Sequence, residues 1–238
     1  MFAADMPHLK FILPTAPTQS VTMNMGMKMP SWYDITGLGE RANENCKGID
    51  ESQARIVQIL QNEHESTQLP YSRMVLAGFS QGGALSVFTG LQLPQKLGGV
   101  LMMSAYLPAA GKFTITPGLE DTSILHLHGL ADPLVTMELA LKSKEILTGS
   151  KGATNYEMKT YPGLQHSMNN ESLADAKKFL LTVLPPDDAC KIVLKDPSSM
   201  SVKELRTAIK KAGLSQKAVG LMEKPEFVKL LKDYRDGK

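Results

Sequence analysis

Six residues, Gly78-Phe79-Ser80-Gln81-Gly82-Gly83, lie between an apolar run, Met74-Val75-Leu76-Ala77, and a small-residue stretch, Ala84-Leu85-Ser86-Val87-Phe88. That context predicts a strand, a sharp turn and a helix, with the serine at the apex. The turn forces a strained conformation on the serine, and a Cβ two residues away on either side would meet neighbouring backbone, hence the flanking glycines. The strain lifts the hydroxyl clear of the sheet. The helix that follows aims its first free N–H groups at the same spot. A serine held in this way is suited to attack on a carbonyl carbon.

A pattern this short also arises by accident, so the surrounding chain has to decide. Ser123-Ile124-Leu125-His126-Leu127-His128-Gly129 reads as a strand ending in a loop with Asp132-Pro133. Tyr156-Glu157-Met158-Lys159-Thr160-Tyr161 alternates like a strand and runs into Pro162-Gly163-Leu164-Gln165-His166-Ser167, a turn that presents a histidine. Serine, aspartate and histidine thus follow one another at the C-terminal ends of three predicted strands. This is the chain order of α/β-hydrolase triads. In that reading His166 takes the Ser80 proton during attack and returns it to the leaving group. Asp132 holds the imidazole in the required tautomer and stabilises its cation, and the backbone N–H of Gln81 is one oxyanion donor. His126 and His128 alternate along a strand, which puts one of them toward the core. They have no companion His, Cys or carboxylate at ligand spacing, so no metal is expected. His8 and His64 sit in polar stretches and are expected to be solvated.

These residues carry a resemblance. From about His8 to Pro186 the chain resembles the acyl-protein thioesterase and lysophospholipase branch of the phospholipase/carboxylesterase family. The match comprises Met29-Pro30-Ser31-Trp32-Tyr33-Asp34-Ile35, the elbow around Ser80, the acid loop His128 to Val135 and Gly163 to Ser167. Phe179-Leu180 through Leu184-Pro185-Pro186 resembles the end of the family's last helix. The resemblance implies a compact α/β-hydrolase, a mostly parallel sheet flanked by helices, with Ser80, Asp132 and His166 as triad. It also implies that Met29, Trp32 and Leu134 lie beside the acyl site.

One departure matters. Members of the family open with a strand ending in a His-Gly-x-Gly-Asp turn that gives the second oxyanion donor, and Met1 here begins almost at the next predicted strand, Leu9-Lys10-Phe11-Ile12-Leu13-Pro14. His128-Gly129-Leu130-Ala131-Asp132 looks like that turn but follows the nucleophile, so it is the acid loop. The resemblance implies a missing central strand between the Leu9 strand and the elbow strand. Either the chain is N-terminally incomplete, which is the favoured expectation, or the sheet closes in another way.

At 238 residues and 42% hydrophobic content the chain can bury one substantial core and a small second one. Its two cysteines, Cys46 and Cys190, have no metal or redox spacing, and no apolar stretch has the length of a membrane span. With no signal-peptide pattern at Met1, the expected compartment is the cytoplasm. Of 26 basic and 24 acidic residues, 12 and 6 fall in 191–238, leaving 14 against 18 for the rest. The expected organisation is a hydrolase domain over 1–186, a linker over 187–200 and a basic helical module over 201–238. In the module, Ser201 and Glu204 form a capping box ahead of Val202, Leu205 and Ile209, and Gly213 ends the helix. Pro225 opens a second helix with Phe227, Leu230, Leu231 and Tyr234 inward. This tail loosely resembles a SAP-like helix-loop-helix. Protein docking is preferred over nucleic-acid binding for it, beside no separate binding role. Methionines 23, 25, 27 and 29 alternate along Val21–Met29, either as one face packed on the core or as an adaptable apolar wall for an acyl chain.

The expected activity is hydrolysis of carboxylic esters or thioesters through an acyl-serine intermediate, without metal or cofactor. By the resemblance, the substrates are palmitoyl-type protein thioesters, lysophospholipids or short esters, with transient contact at a membrane surface. The alternative is a truncated, inactive hydrolase scaffold with an interaction tail.

Overall fold

The computed structural model describes residues 6–37, 45–190 and 195–235. Two compact units divide the chain, 1–188 and 189–238, and part of the expected linker, 191–194, lies outside the described residues.

The first unit is built on a four-stranded parallel sheet. Its strands are β3 (Val75–Phe79), β4 (Gly99–Met103), β5 (Ile124–Gly129) and β6 (Tyr156–Tyr161), in that spatial order. Val75 stands opposite Gly99, Val100 opposite Ile124, and Ile124 opposite Tyr156. β4 and β5 are near-continuously apolar because a parallel sheet is covered on both faces. On one face Val100, Met102 and Ile124 join Tyr33, Phe88, Leu91 and Phe113 in the main core. On the other, Leu101, Leu125, Leu127 and Tyr161 pack with Ala176 and Phe179 of α4 (Asn170–Val183). Asn169 and Ser172 close a capping box at the start of α4.

Three more described helices flank the sheet. α1 (Ile49–Thr67) buries Ile49, Ser52, Ile56 and Leu60, a stripe at helical spacing. α2 (Gln81–Gly90) is buried along nearly its whole length and carries the chain from β3 to β4. α3 (Met137–Glu145), capped by Thr136, lies between β5 and β6. An antiparallel hairpin, β1 (Thr18–Val21) with β2 (Met27–Pro30), stands apart from the parallel sheet.

Two expectations are corrected here. Leu9–Pro14 forms no strand: no described strand pairs with it, and a strand persists only through its partner's ladder. Leu13 is left 89% exposed. The alternating methionines do not pack a face on the core either. They lie on or around the hairpin and are exposed, Met25 by 90% at the turn, where it takes a left-handed φ of 54°.

In the second unit α5 (Val202–Lys211) and α6 (Lys224–Arg235) enclose Met200, Leu205, Ile209, Leu214, Phe227 and Leu231. The Ser201–Glu204 capping box forms as read, and Gly213 follows α5 with φ of 72°. Tyr234 is exposed rather than inward, since two short helices leave too narrow a seam to cover it. No described helix is long and apolar enough to cross a membrane.

Candidate active site

The site is assembled at the C-terminal ends of β3, β5 and β6, where an open parallel sheet leaves room for loops. At the end of β3 the chain turns through Ser80 with φ of 52° and ψ of −121°, a conformation that non-glycine residues avoid. The Ser80 N–H donates to Met103 O at 2.8 Å, extending the β3–β4 ladder into the turn. A Cβ on Gly78 would stand 2.1 Å from the Gly82 carbonyl carbon, so the turn closes only over a glycine there. The second crowded glycine is not Gly82, whose Cβ would meet nothing within 4 Å. It is Gly83, whose Cβ would lie 2.7 Å from Ala105 Cβ. The helix that follows the turn packs against the sheet one residue later than the motif suggests.

Ala84 N–H makes the first intrahelical bond, to Ser80 O at 3.0 Å. The N–H groups of Gln81, Gly82 and Gly83 precede it and head the helix without an intrahelical acceptor. The Gln81 side chain performs a task that no motif announced. Its Oε1 accepts from Trp32 N–H at 2.9 Å, and its Nε2 donates to Tyr33 O at 2.8 Å and Ser31 Oγ at 2.9 Å. Residues 31–33 are thereby tied to the residue beside Ser80, and half-buried Trp32 packs on the main core. A glutamine after the serine was the only sequence trace of this link.

Asp132 is buried, and its two oxygens have separate partners. Oδ1 accepts N–H bonds from Leu134 at 2.9 Å and Val135 at 3.0 Å, and Oδ2 accepts from His166 Nδ1 at 2.8 Å. A carboxylate can only accept, so Nδ1 carries the proton and Nε2 is left as the basic nitrogen. The two loops that hold these residues are stitched together. Leu130 N–H donates to Tyr161 O and Ala131 N–H to Leu164 O, each at 3.0 Å. The contact is tight enough that a Cβ on Gly129 would fall 2.2 Å from Leu164 O. The His166 ring lies 4.8 Å from that of Phe79, the residue before Ser80. Asp132 and His166 are thus in direct contact, and the Ser80 turn reaches them through Phe79.

Among the other histidines, His126 and His128 differ from expectation. His126 and His128 are both fully buried, because residues two apart on a strand share a face. His126 Nδ1 bonds the Tyr156 hydroxyl at 2.6 Å, and burial pushes its pKa down to about 3. Burial also lowers that of His128, whose Nε2 bonds Val135 O at 2.9 Å. His64 Nδ1 bonds Leu69 O, and exposed His8 bonds Leu184 O. No group of three potential metal ligands occurs among the described residues. Of the residues expected beside an acyl chain, Leu134 is 48% exposed next to Asp132, and Met29 projects from β2. Leu130 and Phe79, unnoticed in the sequence, add exposed apolar surface around the same loops.

Residues 1–184 match the family described as phospholipase/carboxylesterase. Acyl-protein thioesterase 1 homolog 1 of Dictyostelium discoideum is 40% identical over 179 residues, 75% of this chain and 78% of that protein. Acyl-protein thioesterase 1 of Gibberella zeae is 40% identical over 192 residues, 76% and 80% of the two chains. Among solved structures, Arabidopsis thaliana SOBER1 superposes with a TM-score of 0.68 at 27% identity, covering 76% of this chain and 87% of that one.

Proposed function

The chain belongs to the phospholipase/carboxylesterase family, and from that premise we propose that it hydrolyses acyl-protein thioesters through a covalent acyl-serine intermediate. The observation that carries the reading is the 2.8 Å bond from His166 Nδ1 to buried Asp132 beside the strained Ser80 turn. The relatives named acyl-protein thioesterases support the substrate class.

In this reading Ser80 Oγ attacks the thioester carbonyl carbon while His166 Nε2 takes its proton. Asp132 stabilises the resulting imidazolium, and its two backbone N–H bonds hold the carboxylate aimed at His166. The Gln81 N–H, at the positive end of α2, donates to the oxyanion. Collapse of the tetrahedral adduct breaks the C–S bond, and the imidazolium proton passes to the leaving thiolate. Water then attacks the acyl-serine, giving up one proton to His166 and returning Ser80 Oγ–H and a carboxylic acid. Phe79, Leu130 and Leu134, exposed around these loops, offer the apolar surface that an acyl chain would cover.

The test is labelling by a fluorophosphonate together with turnover of a palmitoylated cysteine peptide. Both are expected in the full chain and both are lost in Ser80→Ala. Stoichiometric labelling of folded Ser80→Ala would overturn the assignment of the nucleophile. Labelling at Ser80 with turnover of simple esters but none of the peptide would overturn the substrate class alone.

A further inference from the structure

His128 is fully buried, one strand-end away from the chemistry, and the mechanism above does not use it. It shares a face of β5 with His126, whose ring meets it edge-on at 5.3 Å. Its Nε2 lies 2.9 Å from Val135 O. A carbonyl oxygen only accepts, so the proton sits on Nε2 and Nδ1 is a bare lone pair. Nδ1 has no hydrogen-bond partner among the described residues. Burying an unsatisfied nitrogen costs stability, a cost that a leucine or phenylalanine in the same space would avoid. The single bond from Nε2 is what the imidazole supplies there.

That bond reaches the acid loop. Val135 is gripped from both sides: its N–H donates to Asp132 Oδ1 at 3.0 Å, and its carbonyl accepts from His128. The second N–H on Oδ1 comes from Leu134, one residue earlier in the same loop. His128 Nε2 stands 3.9 Å from Asp132 Oδ2, the oxygen that faces His166, too far for a hydrogen bond. Its neutral ring leaves the charge of the carboxylate to His166. We propose that His128 is a positioning residue for hydrolysis: by holding the Val135 carbonyl it fixes the loop whose N–H groups orient Asp132 toward His166. This rests on the triad reading of Ser80, Asp132 and His166.

The experiment compares two variants of similar size and polarity in the full chain, with rates normalised to the folded fraction from thermal melts. His128→Gln places an N–H near the position of Nε2, whereas His128→Asn is too short to reach Val135 O. On a soluble aryl acetate, His128→Asn is expected to lose about 10–10²-fold in kcat, the scale of a small misplacement of a catalytic group, with KM changed less than about twofold. His128→Gln should recover to within about threefold. In an Asp132→Ala background the loss caused by His128→Asn should shrink to less than about threefold, because a residue that acts through Asp132 has nothing left to position. Equal losses in the Asn and Gln variants, or an undiminished loss in the Asp132→Ala background, would overturn the proposal. So would full activity of His128→Asn. If Asp132→Ala itself cost nothing, the choice of acid would fall and the role of His128 with it. Loss in Asp132→Ala with none in His128→Asn would remove the role of His128 alone.

Discussion

β3, which carries Ser80, and β5, which leads to Asp132, are parallel strands of one sheet with opposite surroundings. β5 is paired on both sides, by β4 and β6, and all six of its residues are buried. β3 is paired on one side only among the described residues, and Ala77 and Phe79 are exposed. The strained group therefore stands on the weakly supported strand, and the group that needs a fixed orientation stands on the strongly supported one. Strain at Ser80 is held by local means: the Gly78–Gly82 approach and the bond from Ser80 N–H to Met103 O. Orientation of Asp132 is held by burial and by contacts from β5, β6 and the loop after Asp132. A strained backbone can be held by a short turn, whereas a side chain that must keep one orientation needs a whole layer around it.

The largest expected effect tests that contrast directly. Gly129→Ala drives a Cβ to 2.2 Å from Leu164 O, where the end of β5 meets the loop after β6. It should cost at least about 3 kcal/mol, seen as a collapse of the melting temperature. Gly78→Ala creates an equally close contact, 2.1 Å from the Gly82 carbonyl carbon, but among the described residues β3 has a ladder partner on one side only and can shift away from it. Fluorophosphonate labelling of Ser80 should vanish while most of the melting temperature survives. Gly82→Ala, with nothing within 4 Å of the new Cβ, should keep both. If Gly78→Ala unfolded the protein as thoroughly as Gly129→Ala, the edge would not be the softer side.

A smaller effect belongs to the interior alone. His126 titrates at about 3 in the folded protein, depressed by burial first and by His128 second, against an ordinary imidazole value of 6.5. The unfolded chain therefore binds the proton first as pH falls. Above the ordinary value this group puts no pH dependence on stability. Below it, down to about 3, stability falls by up to about 1.4 kcal/mol per pH unit. Urea melts between pH 6.5 and 4 should show that slope, and His126→Asn, which can still reach the Tyr156 hydroxyl, should lower it by about one proton. An unchanged slope would mean that His126 is not the group that titrates.

The smallest effect lies outside the sheet. Lys10 pairs with Glu63 of α1 at 2.6 Å, in contact with solvent, and anchors the segment that forms no strand. Lys10→Ala should change stability by less than about 1 kcal/mol and leave labelling of Ser80 intact. A larger loss would show that Leu9–Pro14 is held against α1 more firmly than its exposed side chains indicate.

The elements that were legible in the sequence are those whose cause is local. The elbow, the Ser201–Glu204 capping box and the turns carrying Asp132 and His166 follow from glycines, caps and apolar runs within a few residues. The misreadings each involve a distant partner. Leu9–Pro14 has the composition of a strand but not the neighbour. Gly82 has the motif position, yet Gly83 is the residue that meets Ala105. Tyr234 has inward-facing spacing in a helix too short to cover it. The Gln81 tie to residues 31–33 and the His128 bond to Val135 O join segments that no periodicity links.

By itself the sequence determined the strand-turn-helix around Ser80, the chain order of the three candidate triad residues and the excess of basic residues over 191–238. Each depends on backbone conformations that only certain residues allow, or on charge that can be counted. Only the tertiary structure decided which strand lies at the edge, which glycines are crowded and which nitrogen of each buried histidine is engaged. Those depend on what stands opposite a residue across the sheet, a relation set by packing and ladder pairing rather than by distance along the chain.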